Sequence, residues 1–232
     1  MSKDVGIKIK ICGIRTEAEA NFLNEAGVNY AGCVFFDKSK RNVSYGQAEA
    51  VLKALDDNIT RVAVTVSPDV TKAKELEALG FDILQVHKQL SADVVKAVNI
   101  PIWYACNISD PGKLDEALGF MDSLPDDAKD KIKGIVMDAP DYGSGVTFNW
   151  EEGQVNEIAR KIAARDIGLI KDKELILAGG LNDDNVKTGI DIFRPDTVDV
   201  SSSVENETGK DRDKILSFVR TVREHTMSRS RW

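Results

Sequence analysis

Histidine and cysteine are scarce in this chain, with two of the first and three of the second in 232 residues. Cys12, Cys33 and Cys106 are too few and too scattered for a disulfide framework, and together with His87 and His225 they show no zinc-ligand spacing. The composition fits a reducing compartment and a protein without a structural metal. Excess positive charge is missing as well. A net charge of −7 and a pI near 5.0 repel nucleic acid and anionic lipid, and no basic stripe interleaved with aromatics offsets them. Neither nucleic acid nor a membrane is expected as a partner. No apolar run reaches the roughly 20 residues a membrane span needs, and Met1 to Gly6 has no apolar core of a secretion signal, so a cytoplasmic location is expected. The first strand also lacks a following glycine-rich nucleotide turn: Cys12-Gly13-Ile14-Arg15 stands where an open, doubly wound sheet would carry one.

What the chain does have is repetition. Ile7, Ile9 and Ile11 alternate with Lys8 and Lys10 in the period of a strand. The pattern breaks at Gly13, and Thr16 then caps a helix whose apolar face is Ala20, Phe22, Leu23 and Ala26, closed by Gly27. The same alternation predicts strands over 30–36, 61–66, 83–87, 102–106, 133–138, 175–178 and 197–200. Helices are expected over 45–55, 70–79, 92–98, 149–164, 183–192 and 211–224, with an ill-defined helical region over 111–130 that Leu124-Pro125 breaks. Eight such units, each about 25 to 30 residues and each needing a neighbour to bury its faces, point to a closed (β/α)8 barrel, the TIM-barrel architecture. A single domain over 1–232 is expected, ending in a disordered polar tail over 226–232.

In such a barrel the chemistry gathers at the C-terminal ends of the strands. Those ends carry Cys12, Arg41, Ser67, His87, Asn107, Asp138, Gly179-Gly180 and Ser201-Ser202-Ser203. Gly179 and Gly180 permit close backbone approach, and Ser202-Ser203 can open a short helix, so the loops after strands 7 and 8 form a candidate phosphate site. Cys12 and Asp138 end strands 1 and 6 and can face each other across the pocket. A thiolate base and a buried, neutral carboxylic acid would suit a proton-transfer isomerisation, whereas separately they read as a buried small residue and a loop cap. Arg41 is either a solvated charge in Lys38-Ser39-Lys40-Arg41 or a fork for a carboxylate. His87 reads as a satisfied polar residue at the rim rather than a base.

The ordered set Lys10-Ile11-Cys12-Gly13, Gly32-Cys33-Val34-Phe35, Lys38-Ser39-Lys40-Arg41, Gln85-Val86-His87, Asp138, Tyr142-Gly143-Ser144-Gly145, Ala178-Gly179-Gly180-Leu181-Asn182 and Val198-Asp199-Val200-Ser201-Ser202 resembles the phosphoribosylanthranilate isomerases of tryptophan biosynthesis. The resemblance implies a cofactor-free Amadori rearrangement of N-(5-phosphoribosyl)anthranilate, a small phosphorylated substrate, by a monomer or homodimer. It implies that Cys12 is the general base, Asp138 the general acid and Arg41 the holder of the anthranilate carboxylate. His87, Gly179, Gly180, Asp199, Ser201, Ser202 and Ser203 would contact substrate. Lys88 and Ser203 stand where the family usually has glycine. Two alternatives on the same residues are a related phosphosugar isomerase and a phosphate-ligand-binding paralogue without turnover.

Overall fold

The computed structural model describes residues 6–107, 111–138 and 168–229. Eight parallel strands close into a barrel in sequence order, with the first hydrogen-bonded to both the second and the eighth. They are β1 (Lys8–Cys12), β2 (Tyr30–Phe35), β3 (Thr60–Val66), β4 (Ile83–His87), β5 (Ile102–Asn107), β6 (Ile132–Asp138), β7 (Glu174–Leu177) and β8 (Thr197–Val200). The helices among the described residues are α1 (Glu17–Ala26), α2 (Tyr45–Ala54), α3 (Val70–Leu79), α4 (Ala92–Ala97), α5 (Pro111–Ser123), α6 (Asp126–Lys129), α7 (Val186–Phe193) and α8 (Arg212–Arg229). The helix expected over 149–164 and the loop over 142–145 lie outside the described residues. No helix among the described residues is long and apolar enough to cross a membrane.

Alternation along each strand divides the apolar side chains into two cores. Ile9, Ile11, Cys33, Leu84, Val86, Cys106, Met137, Leu177 and Val198 point outward and pack under the helices. Tyr30, Val62, Val64, Ile83, Trp103, Ala105, Val136, Ile176 and Ala178 fill the interior. Gly134 makes the interior packing possible, because a Cβ there would lie 2.6 Å from Trp103 Nε1 and 2.9 Å from Ile176 Cδ1. The indole then meets Tyr30 edge-on, with ring centroids 4.8 Å apart.

The structure departs from the sequence expectation at the ends of two helices. α7 begins at Val186 rather than 183, because the Asn182 carbonyl oxygen Oδ1 accepts from the backbone N–H groups of Asp184 and Asn185 and holds those residues in a turn. The tail expected from 226 continues α8 as far as Arg229. Thr226 Oγ1 donates to Val222 O, and His225 Nε2 lies 2.9 Å from Asp191 Oδ1, which pins the last turns to α7.

Candidate active site

At the C-terminal ends of the strands a cavity of about 300 Å³ opens. That is the lower end of the range for small-molecule sites. Nine residues singled out in the sequence line it: Cys12, Arg41, His87, Asp138, Gly179, Gly180, Asp199, Ser201 and Ser202. Val34, Phe36, Val64 and Val66 form an apolar wall. Ser203 does not line the cavity; its hydroxyl donates to Leu181 O at 2.6 Å and ties the loop after β8 to the loop after β7. Ser67 is exposed outside the cavity, and the Asn107 side chain lies outside the described residues.

Of the three cysteines, only Cys12 faces inward. Cys33 and Cys106 sit in the outer core, where burial pushes both thiols up to about 12. Burial also pushes the Cys12 thiol up, and the Lys10 ammonium is foremost among the charges that oppose the rise, followed at some remove by Lys210 and Arg41. Lys10 is fully buried inside the barrel and donates from Nζ to Asp199 Oδ2 at 2.7 Å. Burial alone would push its ammonium down, but Asp199 and Cys12 hold it up; burial pushes the Asp199 carboxyl up in turn, and Lys10 is foremost among the charges that oppose that rise. Nothing in the sequence marks this pair, since Lys10 reads there as the polar face of an alternating strand.

Across the cavity, Gln85 Nε2 lies 2.9 Å from His87 Nε2, and His87 Nδ1 lies 3.7 Å from Asp138 Oδ2. Burial, reinforced by the Lys10 charge, pushes His87 down to about 3, so the ring is neutral. A neutral ring that accepts the Gln85 amide proton at Nε2 carries its own proton on Nδ1, directed toward Asp138. Two acceptors lining this cavity, Gln85 Oε1 and Asp199 Oδ1, are buried without a hydrogen-bond partner among the described residues. Sequence could have flagged Gln85 as a polar residue among the apolar neighbours of a barrel strand.

Arg41 is buried, not solvated. Its Nε and a terminal nitrogen donate to the two oxygens of Glu205 at 2.6 and 2.9 Å, and Lys210 Nζ donates to Glu205 Oε1 at 2.7 Å. Burial would raise the Glu205 carboxyl, but these two cations outweigh it and hold the group at about 2. Gly13, at φ 86°, leaves room for the Arg41 stem, which a Cβ there would overlap at Cδ. On the far side Gly179 and Gly180 both take left-handed backbone, at φ 89° and 66°. The short 3-10 turn Ser202–Val204 follows β8, and the Ser201 hydroxyl is engaged with Cys12 O at 2.9 Å. Ser203 is not among the residues with positive φ, whereas Lys88 is, at 61°.

Residues 9–221 match the family of N-(5'phosphoribosyl)anthranilate (PRA) isomerases. The chain is 35% identical to the N-(5'-phosphoribosyl)anthranilate isomerase of Thermoanaerobacter sp. strain X514, over 94% of this chain and 98% of that protein. It is 33% identical to the Streptococcus mutans protein of the same name, over 93% of this chain and 98% of that one. The crystal structure of the Thermotoga maritima phosphoribosyl anthranilate isomerase superposes with a TM-score of 0.76 at 30% identity, covering 94% of this chain and 99% of that one. A family structure in complex with reduced 1-(o-carboxyphenylamino)-1-deoxyribulose 5-phosphate superposes with a TM-score of 0.74 at 28% identity, covering 94% and 99%. The chain belongs to the N-(5'-phosphoribosyl)anthranilate isomerase family.

Proposed function

We propose that this protein converts N-(5'-phosphoribosyl)anthranilate to 1-(2-carboxyphenylamino)-1-deoxyribulose 5-phosphate by an Amadori rearrangement in tryptophan biosynthesis. The observation that carries the reading is the convergence of one inward-facing thiol, Cys12, and one carboxyl, Asp138, on a single cavity. Asp138 donates a proton to the furanose ring oxygen. The C1'–O bond breaks and the nitrogen lone pair forms the Schiff base. Cys12, as the thiolate, then takes the C2' proton, and the C2'–H electron pair neutralises the iminium to give the enamine, which tautomerises to the ketone. The neutral His87 ring, its Nδ1 3.7 Å from Asp138 Oδ2, does not compete with the carboxyl for the proton.

Binding follows from the remaining walls. Phosphate sits on the backbone N–H groups of the Gly179-Gly180 loop and of the turn opened by Ser202 and Ser203, as the loops after strands 7 and 8 commonly arrange. The sugar hydroxyls donate to Gln85 Oε1 and Asp199 Oδ1, which otherwise remain buried and unpaired. The aromatic ring lies on Val34 and Phe36, and the guanidinium edge of Arg41 not engaged by Glu205 takes the carboxylate. We read the protein as one barrel domain over 1–232, cytoplasmic, acting as a monomer or homodimer and needing no cofactor.

The test is turnover of phosphoribosylanthranilate by the purified protein, with product separated by chromatography. Failure of turnover by folded protein overturns the proposal. A substrate without the ring carboxylate should react poorly; equal reaction would favour a related phosphosugar isomerase.

A further inference from the structure

The barrel interior holds an ammonium that the reaction scheme does not use, and its place beside the proposed base is fixed by a missing side chain. Lys10 Nζ and Cys12 Sγ each lie 3.2 Å from the point that a Cβ on Gly32 would occupy, so the two can be no further apart than twice that distance. Gly32 pairs with Cys12 in the β1–β2 ladder, and its backbone has no positive φ that would demand glycine. What glycine supplies there is space, and the lysine head and the sulfur fill it. We propose that Lys10 is a positioning residue for the Cys12 base: held by Asp199 and admitted by Gly32, its buried ammonium is the counter-ion that stabilises the Cys12 thiolate. The inference rests on Cys12 as the base and assigns the group that makes such a base feasible in a buried site.

Charge balance supports it. The groups that act on the sulfur are Lys10 from its own strand, Asp199 from β8, Lys210 beyond the 3-10 turn and Arg41 from the loop after β2; the Cys33 thiol stands behind β2. Arg41 and Lys210 both spend donors on Glu205, and Lys210 also donates to Ser201 O at 3.0 Å. Lys10 has three donors, and among the described residues the one side-chain oxygen it meets is Asp199 Oδ2. A thiolate gives it a second anion. An opposite charge at this range shifts a titration by about one to three pH units in a buried setting.

The experiment is alkylation of Cys12 by iodoacetamide as a function of pH in the full chain, read by mass spectrometry of the Cys12 peptide, alongside kcat and KM. Lys10→Met should move the alkylation midpoint up by about one pH unit or more and lower kcat more than it raises KM. Asp199→Asn should move the midpoint down, because it removes the anion that opposes the thiolate and leaves the sulfur as the partner for Lys10. Opposite displacements by two partners of one ion pair are not the signature of a merely structural pair. An unmoved midpoint in Lys10→Met, or displacements of the same sign, overturns the proposal. Should Lys10→Met fail to fold, Gly32→Ala drives a methyl between sulfur and ammonium, and an unmoved or lowered midpoint there overturns it equally. Cys12→Ala separates the two readings: retained turnover sinks Cys12 as the base while the alkylation midpoints still decide the counter-ion.

Discussion

Glu205→Gln keeps the shape of the side chain and removes the anion that Arg41 and Lys210 share. A carboxyl held at about 2 against an ordinary 4.5 contributes about 3 kcal/mol of stability at neutral pH. The same size follows from leaving two cations buried without their partner, since breaking a buried pair costs about 3 kcal/mol or more. For a chain of this length that is a fall in Tm of about 6 to 12 °C. The sign of the pH dependence is fixed by the direction of the shift. The folded carboxyl titrates below the unfolded one, so the contribution is complete above 4.5 and is lost as pH falls toward about 2. Urea unfolding of both proteins between pH 7 and pH 3 should give a constant gap down to about pH 5 and then a narrowing one. A variant as stable as the parent at pH 7, or a gap that keeps its full width at pH 3, would refute the ion-pair account.

Cys12→Ala and Asp138→Asn should each lower kcat by about 10²-fold or more while the thermal transition stays near the parent's; near-normal turnover in either would remove that residue from the mechanism. Gly134→Ala should destabilise by about 1 to 3 kcal/mol, because its methyl meets the Trp103 indole, and a melt with tryptophan fluorescence will register both the loss and the displaced ring. The His87 ring should show no titration by NMR between pH 5 and 8, given a group pushed down to about 3; the unfolded chain takes up a proton below 6.5 that the native ring refuses, so this residue costs stability as pH falls. Arg41→Ala should raise KM for the carboxylated substrate and also lower stability, because Glu205 loses its fork.

The barrel was legible because its outer core is periodic: Ile9, Ile11, Leu84 and Val86 mark strand faces that any helix-covered sheet must have. The mouth was legible because cysteine, aspartate and paired glycines at strand ends are costly residues to place without use. The ammonium inside was not, because an alternating Ile-Lys-Ile-Lys strand looks half solvated until closure of the barrel buries both faces. Glu205 was hidden for a related reason. It follows a serine run that reads as a helix opening, and only the fold brings it to an arginine 164 residues earlier. The full extent of α8 is not legible because Thr226 and Ser228 are poor helix formers whose hydroxyls bond back to Val222 O and His225 O in the last turns.

The closing edge of the barrel is stitched by polar ties between the two ends of the chain. Lys10 meets Asp199 and Ser201 meets the Cys12 carbonyl, each across 189 residues, and Glu19 Oε1 accepts from the Lys210 N–H across 191. None of these contacts rewards the chain until the whole circle has been travelled, whereas each β/α unit beneath them is local. The cost of so long a closure rises only logarithmically, by about 0.6 kcal/mol per doubling of loop length, so it limits speed more than stability. Folding should therefore build the wall first and lock the seam last. Weakening the seam, as Glu205→Gln does at a cost of about 3 kcal/mol, should hasten unfolding by about 10²-fold and leave the rate of folding almost untouched.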